Sequence, residues 1–170
     1  MFWSAFPRRI SNCSRRSGNR SLLEVNRPTV AVGCFVFNQR TELLMIQRAR
    51  QPGLGLWTIP GGKVEFGESL VDACRREVWE ETNLKIDVGE FLTVFEPRFE
   101  QFHYVILDYL GAPSQGITES LCAGDDAGDV AWVALDEIPN LPLTIDLMPV
   151  VEMALAQARS SEFAQRFGLG

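Results

Sequence analysis

The period of apolar positions changes along the chain, and each change marks an element. Thr29 to Phe37 is a nearly unbroken run of apolar and β-branched residues, which predicts a strand. The polar stretch Asn38-Gln39-Arg40-Thr41 predicts a turn, and Glu42 to Gln47 a second strand. Pro52-Gly53-Leu54-Gly55 then reads as a loop, Leu56 to Ile59 as a short strand, and Pro60-Gly61-Gly62 as a sharp turn. Ser69, with Asp72 three residues later, has the form of a helix start, so a helix is predicted over about Leu70 to Thr82. Asn83 tolerates the left-handed conformation that ends helices. Strands are expected over Lys85 to Phe95, Phe102 to Leu110 and Val130 to Ala134, and an amphipathic helix from about Pro149 to Phe167, stopped by Gly168. With no internal repeat or interdomain linker, the pattern predicts one mixed α/β domain over residues 28–170, with helices packed on a sheet.

Upstream of Pro28 the pattern is different. Residues 1–27 hold six arginines (Arg8, Arg9, Arg15, Arg16, Arg20 and Arg27) against one acid, Glu24. Such a segment resembles a mitochondrial or plastid transit peptide. The alternative is a basic tail or an over-extended gene start on a cytoplasmic protein. Taking these residues from the totals of 16 basic and 22 acidic leaves ten and 21, so the remainder carries a formal charge of −11. That balance is poorly suited to nucleic acid, whose non-specific binding rests on lysine and arginine contacts to phosphate. A body so acidic needs cations if it is to handle phosphates. No apolar run approaches the roughly 18 residues of a membrane span, and the composition reads as that of a soluble protein. Cys13, Cys34, Cys74 and Cys122 are scattered without a Cys-x-x-Cys pair, which suggests neither a zinc knuckle nor a disulfide framework. The lone His103 sits in an apolar stretch and reads as structural or substrate-contacting.

The predicted helix at 70–82 carries an energetic oddity. Glu77, Glu80 and Glu81 fall within about one turn of its C-terminal end. Like charges at i,i+3 and i,i+4 each cost about 0.2–0.5 kcal/mol. Negative charge at a helix C-terminus opposes the macrodipole by a further 0.3–1 kcal/mol or so per group. A solvated acidic face is the ordinary explanation of such a cluster. Three details point beyond it. A helical wheel places small Ala73 beside the carboxylates, leaving room for an ion and a ligand; Arg76 stands one turn before Glu80; and clustered hard oxygen ligands suit Mg²⁺ or Mn²⁺.

Spacing supplies the specific signal. Gly62, five residues, Glu68, seven residues, and Arg76-Glu77-Val78-Trp79-Glu80-Glu81-Thr82-Asn83-Leu84 together resemble the Nudix box at every charged position, at its first glycine and at both aliphatic positions. Asn83 departs from it, standing where the family has glycine. Leu56 to Lys63 and Trp132 to Glu137 resemble the flanking parts of that family more loosely. The resemblance implies a Nudix-type α/β/α sandwich with a mixed β-sheet, and a metal-dependent hydrolase that cuts a phosphoanhydride bond in a nucleoside diphosphate linked to another group. By the same resemblance Glu77, Glu80 and Glu81, helped by the backbone carbonyl of Gly61, would bind Mg²⁺, with Mn²⁺ as substitute. Gly62, Glu68 and Arg76 would support the loop and helix.

The resemblance leaves the catalytic base open between the box helix, at Glu77 or Glu80, and the acidic loop Cys122 to Asp129, at Asp126 or Asp125. Arg48 and Arg50 follow the second predicted strand and are candidates for phosphate contacts. Phe35, Trp57, Phe95 or Phe102 are candidates for stacking on a base. Pro97 lies near where ADP-ribose pyrophosphatases of the family carry a proline, which leans the expected substrate toward ADP-ribose or a related nucleotide. The partner expected is a small nucleotide, with neither membrane nor nucleic acid, and a homodimer is left open. A nucleotide-sensing module without catalysis is the competing reading, although such a module would be expected to have lost box glutamates.

Overall fold

Both faces of the first strand, β1 (Thr29–Val36), are apolar, and the fold is arranged to cover each. Val32, Cys34 and Val36 enter one buried cluster, whereas Phe35, with Phe37 just beyond the strand, enters another. Alternate residues of a strand face opposite ways, so two covers are required. The helix α1 (Leu70–Thr82) supplies one with Ala73, Cys74 and Val78, and α2 (Leu147–Ala158) supplies the other with Leu147, Val151 and Ala154. The strand β2 (Leu43–Arg48) divides in the same way: Leu44 joins the α1 side, while Leu43 and Met45 join the α2 side. The result is an α/β/α sandwich. This computed structural model describes residues 27–51, 53–99, 102–114, 120–124, 127–159 and 163–165. The basic segment through residue 26 and the loop acids Asp125 and Asp126 lie outside them.

The larger sheet is mixed. β1 pairs antiparallel with β4 (Gly61–Lys63) and parallel with β7 (Phe102–Pro113), and β7 pairs antiparallel with β5 (Ile86–Phe95), giving the order β4-β1-β7-β5. The short β6 (Arg98–Phe99) folds back onto β7. A second, antiparallel sheet has the order β3-β2-β8, with β3 at Trp57–Thr58 and β8 at Ala127–Val133. Buried Asn38 builds the turn between β1 and β2: its Oδ1 accepts from the Arg40 and Glu42 amides, and its Nδ2 donates to Glu42.

Several boundaries differ from expectation. Gly61 and Gly62 do not form a turn but pair with Gly33 and Val32 as part of β4. A Cβ at Gly61 would collide with the Val32 carbonyl oxygen and stand 2.8 Å from the Gly33 Cα, so the glycine permits close strand approach. α2 starts at Leu147, two residues before Pro149, and ends at Ala158, well before Phe167. Proline is tolerated in the first turn because its missing N–H would have had no helical partner there. β7 runs on to Pro113 and β8 begins at Ala127, both longer than the apolar runs suggested. No helix among the described residues is long and apolar enough to cross a membrane.

Candidate functional site

α1 is defined at both ends by identifiable hydrogen bonds. Ser69 caps its start, its Oγ accepting from the Asp72 amide at 3.1 Å. At the other end Asn83 takes the left-handed conformation, φ 59° and ψ 22°, and its N–H donates to the Trp79 carbonyl at 2.8 Å. The last carbonyls of a helix have no partner within it. Here a remote loop provides two: the Gly124 N–H donates to Glu81 O and the Cys122 N–H to Thr82 O, each at 3.1 Å. Gly124 approaches so closely that a Cβ there would collide with the Glu80 carbonyl oxygen. The start of the acidic loop is thereby fixed against the glutamate-bearing end of α1.

Arg76 organises the carboxylates. Its Nε and Nη2 grip Glu68 at 3.1 and 2.6 Å, Nη1 meets Glu77 at 2.8 Å and Glu80 at 3.1 Å, and Nη2 also donates to the Lys63 carbonyl at 3.0 Å. One guanidinium therefore ties the box helix to β4 and to the loop before α1. Its fork geometry makes this possible where lysine would offer only a point charge. The guanidinium holds the Glu68 carboxyl below the usual carboxylate range, aided by the Glu65 amide, and Arg76 itself is pushed further toward its charged form, chiefly by Glu68. Glu77 moves the other way. Its side chain is 14% exposed, and burial raises its proton affinity despite the opposing pull of Arg76. Glu80 is 56% exposed. Glu81 turns toward β4, where its Oε2 accepts from the Gly61 N–H at 2.9 Å.

The structure thus brings together Gly61, Gly62, Glu68, Arg76, Glu77, Glu80 and Glu81. Gly61 meets this group through its amide, at Glu81. At Gly62 a Cβ would stand 2.5 Å from the Glu77 carboxyl, so the absent side chain leaves the place that Glu77 occupies. Ala73 does not leave an open approach for a ligand. It is fully buried, packed into the cluster between α1 and the sheet, because the same wheel position faces the core. Among the described residues no three His, Cys, Asp or Glu side chains converge closely enough to hold a metal as they stand. Arg76 and the Gly61 amide occupy the carboxylates instead.

Arg48 and Arg50 stand at and just beyond the end of β2. Arg48 is in register with Ala127 on β8, the strand that follows the acidic loop. His103 pairs with Glu96 at 2.7 Å on the exposed β6–β7 hairpin. Phe35 is core, whereas Phe102 is 42% exposed and stacks on Tyr104. One buried acid escaped the sequence reading. Asp108, in the middle of β7, is only 4% exposed, and its burial raises the carboxyl to about 7. The available signal was a single acid inside the apolar run Phe102 to Leu110.

Comparison with known proteins agrees with this architecture. The chain is 30% identical over 127 residues to human 8-oxo-dGDP phosphatase NUDT18, an overlap of 71% of this chain and 38% of that protein. It is 35% identical over 120 residues to an ADP-ribose pyrophosphatase of Methanocaldococcus jannaschii, covering 67% of this chain and 66% of that one. The chain therefore spans well under half of the length of the NUDT18 relative. Among solved structures, a bifunctional NMN adenylyltransferase/ADP ribose pyrophosphatase from Francisella tularensis, complexed with AMP and Mn ion, superposes with a TM-score of 0.68 at 28% identity, over 77% of this chain and 42% of that one. The NUDIX domain family model matches residues 27–152, the span that contains both sheets, α1 and its carboxylates, and the chain belongs to that family.

Proposed function

We propose that the chain is a divalent-metal-dependent hydrolase of a phosphoanhydride bond in a nucleoside diphosphate compound, using Mg²⁺ or, in its place, Mn²⁺. The observation that carries this reading is that Glu77 and Glu80 meet on Arg76 while Glu81, on the same turn of α1, is held by the Gly61 amide at the edge of β4. The residues fit such an ion in kind: they are hard oxygen donors, and the missing side chain at Gly62 leaves Glu77 room beside β4. A bound divalent cation would neutralise charge developing on phosphorus oxygens and lower the pKa of an attacking water.

The protein's own residues would then divide the work. Arg76 keeps its two-point hold on Glu68, so the loop and helix stay in register while its contacts to Glu77 and Glu80 give way to the ion. Glu77 and Glu80 are the candidate bases on the helix. Burial favours proton acceptance at Glu77, and exposure leaves Glu80 open to water. Asp126 is the candidate on the loop that follows Gly124. Arg48 and Arg50 would receive the phosphates as fork-shaped donors. The relatives named above act on 8-oxo-dGDP and on ADP-ribose, and both compounds carry a diphosphate on a nucleoside. The test is hydrolysis of a panel of nucleoside diphosphate compounds with Mg²⁺, products identified by mass. Release of a nucleoside monophosphate from at least one member supports the reading, and inertness toward all of them, with Mg²⁺ and with Mn²⁺, rejects it.

A further inference from the structure

A row of four residues runs in register across the larger sheet: Gly61 on β4, Gly33 on β1, Asp108 on β7 and Thr93 on β5. In-register neighbours share a face, and Leu110, two residues beyond Asp108, puts that face on the α2 side. Gly33 contributes no side chain. Over it converge an Asp108 carboxylate oxygen and the Ile59 δ-methyl, which stands 2.8 Å from where a Cβ would be. Asp108 has no hydrogen-bond or ion-pair partner among the described residues, although it is only 4% exposed. No fully enclosed side-chain oxygen or nitrogen among those residues lacks a partner. The unpartnered carboxyl must therefore keep a narrow opening to the outside.

We propose that Asp108 selects the base of the substrate, accepting hydrogen bonds from an N–H edge of the nucleobase at this opening. The inference rests on the hydrolase reading above and adds the part of the substrate that the box does not touch. Asp108 lies two strands from Gly61, roughly 10 Å, a separation comparable to that between the phosphate and the base edge of one nucleotide. Ile106 is the next residue on the same face of β7 and gives the opening an apolar neighbour. A buried carboxylate gains most from two parallel N–H donors. The adjacent ring N–H and amino group of a guanine-type base supply two, whereas hypoxanthine supplies one and the adenine amino group stands alone. Burial keeps the carboxyl near neutrality at about 7, so a donor edge would also complete the stabilisation of its ionised form.

The experiment compares the full chain with Asp108→Asn and Asp108→Leu, each with Mg²⁺, on the same diphosphate compound carried by guanosine, inosine and adenosine. Wild type should prefer guanosine to inosine in kcat/KM by about tenfold or more, the worth of one hydrogen bond to a charged group. In both variants that ratio should fall toward one. A melt at pH 8 checks the fold, and Asp108→Leu should melt higher than wild type because an unpartnered carboxyl is gone. A guanosine-to-inosine ratio unchanged by either substitution overturns the proposal. Should wild type cleave none of the compounds, the hydrolase reading fails by itself. Calorimetric titration with guanosine and inosine monophosphates then decides on Asp108, and equal affinities in wild type would overturn its role.

Discussion

The buried Asp108 carboxyl makes a quantitative prediction about stability that needs no substrate. Its pKa is raised from the ordinary 3.8 to about 7, and burial is the cause, with no charged neighbour contributing. The folded state therefore holds this proton more tightly than the unfolded state. Below about pH 4 both states are protonated at this group, and it has no effect on stability. As pH rises from about 4 to about 7 the unfolded chain releases the proton first, and stability falls; above about 7 the penalty is complete. A rise of about three units at ~1.4 kcal/mol each corresponds to roughly 4 kcal/mol. Asp108→Asn cannot ionise and escapes that slope. The variant's advantage over wild type should grow from pH 4 to pH 7.5 by about 4 kcal/mol, or roughly 10 °C in Tm for a chain of this size. Urea or thermal unfolding of both proteins across that range measures it. Any constant offset from placing an amide there is independent of pH, so the slope of the difference is the datum. A flat difference would mean that Asp108 ionises without penalty and has a partner, refuting the reasoning.

The remaining predictions concern α1 and its surroundings. Asn83→Gly should be neutral or stabilising by at most about 1 kcal/mol, because glycine occupies the left-handed cap at φ 59° without strain; urea midpoints would show it. Gly62→Ala should leave the urea midpoint within about 1 kcal/mol of wild type, since the colliding group is the movable end of Glu77, yet cut turnover at least tenfold by displacing that carboxylate. Gly124→Ala meets backbone instead. It should cost about 1–3 kcal/mol in the same assay and speed hydrogen exchange at the amides of residues 122 and 124, which donate to the Thr82 and Glu81 carbonyls.

The sequence made α1 legible because its signals are local: a capping serine, a tolerant asparagine, and charges whose spacing places them on one turn. The two-sided burial of β1 and β2 was legible for a related reason, as runs apolar on both faces need covers on both. Non-local causes were not readable. Gly61 and Gly62 serve close approach between strands, and a glycine pair announces that no more clearly than it announces a turn. The capping of α1 by Cys122 and Gly124 joins residues some forty positions apart, and nothing in either segment names the other. Ala73 shows the limit of a helical wheel, which gives angular position but not what lies opposite; here the opposite surface is the sheet. Asp108 was visible as a lone acid in an apolar strand, but its isolation became evident only once the register set it over Gly33 and beside Ile59.

The central claim, that Glu77, Glu80 and Glu81 hold a divalent ion that drives hydrolysis, is tested most directly by measuring turnover against Mg²⁺ concentration for wild type and Glu81→Gln in one assay, on the most active compound of the panel. A glutamine oxygen can still accept from the Gly61 amide, and the substitution relieves like-charge repulsion, so metal-free stability should be equal or higher. The account predicts saturable activation of wild type by Mg²⁺, none with a chelator present, and loss of most turnover in the folded variant. Turnover by wild type that persists under chelation, or a variant within a few-fold of wild type at the same Mg²⁺ concentration, would contradict it.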